Sequence, residues 1–67
     1  MEISARNQLR GTVKSVTIDE LMAEVVVDIG GQEIASTITR ASADRLQLKT
    51  GDTVVAIIKA SEVLIAK

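Results

Sequence analysis

Met22-Ala23-Glu24-Val25-Val26-Val27-Asp28-Ile29-Gly30-Gly31-Gln32-Glu33-Ile34-Ala35-Ser36-Thr37-Ile38-Thr39 decides the fold of this chain. Val25, Val27 and Ile29 alternate with Glu24 and Asp28, the period of a strand with one face covered. Gly30-Gly31 follows, and both glycines accept positive φ, which a two-residue hairpin turn demands. On the return strand, Gln32 to Thr39, the residues Ile34, Ser36 and Ile38 share a face. Upstream, Gly11 to Ile18 is rich in β-branched residues, with Leu9, Gly11 and Val13 on one parity and Val16 and Ile18 on the other. That change of parity near Lys14-Ser15 predicts a bulge or bend, and Asp19-Glu20 predicts the turn into Met22. Downstream, Ser42 to Leu48 reads as a short helix with Ser42 as its cap and Asp44 complementing its positive end. Thr50-Gly51-Asp52 breaks the pattern, Thr53 to Lys59 is a nearly continuous apolar strand, and Glu62 to Ala66 reads as a last short strand.

The resulting expectation is all-β with one short helix: a five-stranded Greek-key barrel of the oligonucleotide/oligosaccharide-binding type. With 67 residues and no linker or repeat, residues 1–67 are expected to form a single domain. A chain this short buries only about 60% of its unfolded surface. It has neither cysteine nor histidine, so disulfides and the usual structural zinc site are closed to it. A hydrophobic content of 46% then points to oligomerisation as the source of stability.

Composition also narrows function. The net charge is −1, from 8 basic and 9 acidic residues, and there is no Phe, Tyr or Trp. Nucleic acid is therefore an unsuitable partner, lacking both a basic surface and stacking platforms. The longest apolar run, Val54 to Ile58, is far too short to span a bilayer. Met1-Glu2-Ile3 does not open a signal peptide, and a cytoplasmic protein is expected. Without histidine or cysteine the common nucleophile and general-base pairs are missing, and nothing pairs the lysines or carboxylates for chemistry, so no enzymatic activity is expected.

Three polar clusters punctuate the strands: Ser4-Ala5-Arg6-Asn7, Thr39-Arg40-Ala41-Ser42 and Lys59-Ala60-Ser61. Each pairs a cation with a hydroxyl and none holds an acid, a donor set suited to a fully deprotonated oxyanion. Each also has a plainer account. The first can be a polar arm leading into the sheet. Thr39 and Ser42 can be ordinary helix caps, although a helix amino terminus also attracts anions. Lys59, at the end of a buried strand, can reach out to solvent.

Together, Ser4-Ala5-Arg6-Asn7, Gly11-Thr12-Val13, Ile38-Thr39-Arg40-Ala41-Ser42 and Ile58-Lys59-Ala60-Ser61-Glu62-Val63 closely resemble the molbindins, the small Mop-family proteins that bind molybdate and tungstate. The resemblance covers essentially the whole chain. It implies a hexamer, a trimer of dimers, with oxyanion pockets between subunits and a role in intracellular storage or buffering. It further implies that Ser4, Ala5 and Arg6 come from one subunit and Thr39, Ser42 and Lys59 from a neighbour, with Ser61 adding a donor and Asn7 fixing the amino-terminal arm. The alternative, from a different class, is a regulatory or protein-interaction domain of the same barrel fold with no small-anion ligand.

Overall fold

A computed structural model describes residues 2–67; Met1 lies outside them. The elements are β1 (Asn7–Ile18), β2 (Met22–Asp28), β3 (Glu33–Thr39), α1 (Arg40–Leu46) and β4 (Thr53–Ile58), followed by a 3-10 turn at Ala60–Glu62. The strands make one antiparallel sheet in the order β3-β2-β1-β4.

β1 organises the molecule because it serves two partners. Its first half, Asn7 to Thr12, pairs with Ile58 to Thr53 of β4. Its second half, Thr12 to Ile18, pairs with Asp28 to Ala23 of β2. The register shifts between Val13 and Ser15, where the parity change predicts it. The extra residue bends the strand and curls the sheet, so Val13 and Val16 both reach the concave side, Val13 buried and Val16 packed against it. Gly11 sits just before this bend. A Cβ there would meet the Asp28 carbonyl at 2.5 Å and Val27 Cγ1 at 2.6 Å.

The β2–β3 hairpin forms as read. Gly30 and Gly31 have φ of 80° and 94°, and the Ile29 N–H donates to the Gln32 carbonyl at 2.7 Å. At the β1–β2 turn the Asp19 carboxylate accepts the N–H of Met22 at 2.8 Å and of Leu21 at 3.0 Å. Before β4, Asp52 accepts from the Lys49 ammonium and the Lys49 N–H.

These bonds set a pH dependence. The Met22 N–H, and then that of Leu21, hold the Asp19 carboxyl below its ordinary range; the Lys49 side chain and N–H do the same for Asp52. A carboxyl depressed in the folded chain contributes stability that is complete above its unfolded pKa and is lost as pH falls through its folded value. Urea midpoints are expected to fall as pH drops below about 4. An Asp19→Ala/Asp52→Ala chain should lose less over the same acid interval. Equal losses in the two chains would rule out these turns as the cause.

Two expectations are corrected. The helix starts at Arg40 and its cap is Thr39, not Ser42; Thr39 Oγ1 accepts the Ser42 N–H at 3.1 Å. Thr39 keeps extended backbone (φ −71°, ψ 149°), so one residue both ends β3 and caps α1. Asp44 therefore lies beyond the first turn, which holds no acid. Asp44 pairs instead with Arg40 at 3.8 Å. The second correction concerns the sheet, which has four strands among the described residues. Glu62 closes the 3-10 turn, and Val63 to Ala66 forms no strand.

The core is small: Val13, Val25 and Val27, with Val16, Ile29, Ile38, Leu48 and Val54 packed around them. The curled sheet does not close. An apolar groove of ≈ 300 Å³ runs between β3 and β4, with Leu46 and Leu48 at one end.

Candidate oxyanion-binding site

Antiparallel pairing between β1 and β4 builds the site. Their ladder begins at Asn7 opposite Ile58. The residues just before Asn7 and just after Ile58 must therefore emerge side by side. Ile3, Ser4, Ala5, Arg6, Ile57, Lys59, Ala60 and Ser61 line one open concavity of ≈ 590 Å³ there. Two of the three sequence clusters are thus brought together in one chain, although far apart in sequence.

The electrostatics are one-sided. Arg6 and Lys59 supply two positive charges, and no carboxylate lines the concavity. Neither cation makes an ion pair among the described residues. Ser4 and Ser61 add hydroxyl-bearing side chains to its lining. The 3-10 turn adds backbone donors: the N–H of Glu62 is used by the Lys59 carbonyl at 2.9 Å, whereas those of Ala60 and Ser61 open the turn and have no partner within it. Ile3 and Ile57 form an apolar wall, which strengthens any charge interaction beside it. The arm is held by Gln8, whose Nε2 donates to the Ala5 carbonyl at 2.7 Å. This role was expected of Asn7. No sequence pattern marks Gln8, because its partner is a main-chain carbonyl. Ile3 and Ile57 were also missed; Ile57 carries only the signal of an ordinary strand residue.

Thr39 and Ser42 lie elsewhere. They sit where β3 meets α1, beside the β1–β2 turn, to which the Arg40 N–H is tied through the Leu21 carbonyl at 2.8 Å. The length of β1 separates them from Arg6. Thr39 Oγ1 and Ser42 Oγ are 2.9 Å apart, so within one chain they satisfy each other as a cap pair. Lys59, expected to act with Thr39 and Ser42, stands with Ser4, Ala5 and Arg6 of its own chain.

A tetrahedral anion of four oxygens, at about 30 Å³ per water-sized atom, needs roughly 120 Å³. The concavity is several times larger and open on one side.

A curled antiparallel sheet with a cation-and-hydroxyl concavity at one end defines a small ligand-binding β-domain. Residues 3–65 match the TOBE domain family. Molybdenum-pterin-binding protein 1 of Clostridium pasteurianum is 44% identical over 66 residues, covering 97% of each chain. A solved molybdate-binding protein from Sporomusa ovata is 42% identical, with a TM-score of 0.95 over the full length of both chains. The cytoplasmic molybdate-binding protein ModG, solved with molybdate bound, is 43% identical with a TM-score of 0.91 over 96% of this chain and 46% of its own. Against the molybdenum transport protein ModE of Herbaspirillum seropedicae, at 39% identity, the chain spans 24% of the longer protein. The chain belongs to the TOBE-domain family, and within it to the Mop-family molbindins.

Proposed function

We propose that this chain binds molybdate and tungstate at subunit interfaces, for intracellular storage and buffering, and does no chemistry on them. The carrying observation is the carboxylate-free concavity in which Arg6 and Lys59 stand together. Its relatives include proteins that bind molybdate. Ser4, Ala5, Arg6, Lys59 and Ser61 line one wall; Thr39 and Ser42 of a neighbouring chain face them. Residues 1–67 act as one binding domain in a cytoplasmic hexamer, a trimer of dimers, without nucleic-acid or membrane partners.

The charge balance favours a dianion with no proton to donate. Two cations neutralise it, and hydroxyls and N–H groups fill its remaining lone pairs. Phosphate at neutral pH keeps a proton and finds no carboxylate to accept it. Sulfate carries the same charge as molybdate and is separated only by size. A micromolar site needs about 8 kcal/mol, within reach of a few charge-assisted hydrogen bonds of about 1.5–3 kcal/mol each.

Titration calorimetry with molybdate, tungstate, sulfate and phosphate tests this. Heat is expected for the first two, with sulfate weaker and phosphate weakest. At a hundredfold excess over the dissociation constant, molybdate should stabilise the assembly by about 2.7 kcal/mol, read as a raised melting temperature. A flat molybdate trace would leave the protein-interaction alternative in its place.

A further inference from the structure

The concavity that holds Arg6 and Lys59 is only half polar. Of the eight residues lining it, Ile3, Ala5, Ile57 and Ala60 are apolar. The two isoleucines come from different elements: Ile3 from the arm before β1, and Ile57 from β4. Alternation along an extended chain puts Ile57 on the same face as Lys59. Asn7 pairs with Ile58 and Gln8 with Ile57, so the next residues outward, Arg6 and Lys59, carry the cations just beyond this apolar position. Ile57 is 37% and Ile3 49% exposed, and neither belongs to the core cluster.

Sulfate and molybdate are alike in charge and shape. Steric fit does not separate them on this wall, because the concavity, at ≈ 590 Å³ and open, is several times the roughly 120 Å³ of a tetrahedral anion. Hydration does. At fixed charge, the cost of taking an ion out of water varies inversely with its radius, so the smaller sulfate gives up more. A surface dense in strong donors returns that difference, because it also binds the smaller ion more strongly. A surface with few strong donors does not, and the larger ion keeps the advantage. This concavity is of the second kind. Its aliphatic residues return nothing to either ion. The planar guanidinium of Arg6 spreads its charge and is itself weakly hydrated, which leaves Lys59 as the one compact charge.

We propose that Ile3 and Ile57 are specificity-determining residues: they keep water from one side of the bound ion and so favour large, weakly hydrated tetrahedral dianions over sulfate. The inference rests on the anion reading of this site and adds to it the residues that discriminate. Arg6 and Lys59 decide whether a dianion binds; the isoleucines decide which one.

Sulfate, selenate, molybdate and tungstate are fully deprotonated tetrahedral dianions at neutral pH, so together they vary size at constant charge. Each is titrated by calorimetry into the parent, Ile3→Thr, Ile57→Thr and the double variant, with displacement by molybdate where direct heat is small. Threonine keeps the branched shape and brings a hydroxyl with its water. In the parent, affinity should rise with ionic size. Each single variant should narrow the preference for molybdate over sulfate by about two- to tenfold, the range of one net hydrogen bond. Selenate should move with sulfate, and the ratio between molybdate and tungstate, ions of nearly equal size, should not change. Ile18→Thr, at the far end of β1 and outside the concavity, should keep the parent's preference. An equal loss of affinity for all four ions would show that the isoleucines only pack the protein, and would overturn the proposal. So would unchanged ratios, or a parent that binds sulfate as tightly as molybdate. A parent that binds none of the four would instead overturn the anion reading, and this proposal with it. If Ile57→Thr does not fold, shown by circular dichroism, Ile3→Thr, which lies outside every strand, decides alone.

Discussion

Replacing both Arg6 and Lys59 by alanine is expected to remove molybdate binding while leaving the fold in place. Each side chain contributes charge-assisted hydrogen bonds of about 1.5–3 kcal/mol, so each single substitution should weaken affinity by about 10- to 150-fold. The double variant should fall beyond calorimetric detection, because a dianion would then face hydroxyls and N–H groups with no positive charge. The fold should survive, since both side chains are exposed and neither makes an ion pair among the described residues. Arg6→Lys should recover part of the loss by restoring charge without the planar fork of donors. Arg10→Ala, exposed on β1 and outside the concavity, should bind like the parent. Parent-like binding by both single alanine variants would displace the site from this end of the sheet.

Gly11→Ala is expected to have the largest effect on stability of any single methyl addition in the chain. The new carbon would sit 2.5 Å from the Asp28 carbonyl oxygen, 2.6 Å from Val27 Cγ1 and 2.9 Å from Ile29 Cγ2. Val27 is core, and the Asp28 carbonyl belongs to the paired backbone of β2, so neither neighbour can yield cheaply. Overpacking of this kind costs about 1–3 kcal/mol. A domain of this length has only roughly 3–10 kcal/mol in total. The urea midpoint should drop by about a third. Gly30→Asn is the control. It lies in open space with φ near 80°, a conformation asparagine tolerates, and its midpoint should hardly move. Equal effects at the two positions would mean that the close approach at Gly11 relaxes freely.

How much of the fold and site is legible in the sequence depends on whether the signal is local. The Gly30-Gly31 hairpin and the Lys14-Ser15 bulge were readable because turn chemistry and parity are properties of neighbouring residues. The cap of α1 was misplaced by three residues. Both Thr39 and Ser42 are good caps by type, and only the backbone shows that Thr39 ends a strand and caps a helix together. The clusters around Arg6 and Lys59 were visible as donor sets. Their meeting was not, since it follows from the Asn7–Ile58 register of two strands distant in sequence, which no local period encodes. The fifth strand was read from a real apolar pattern. A pattern states that a segment suits a strand, but not what it pairs with.

The short turn at Ala60–Glu62 joins the Lys59 end of the concavity directly to the apolar run that begins at Val63. With the anion held between chains, as proposed, occupancy and assembly are linked and their effects are reciprocal. Cargo would tighten the complex, and dilution of the protein would discharge its cargo. Cellular abundance of the protein itself then becomes a release signal, a valve that requires no enzyme.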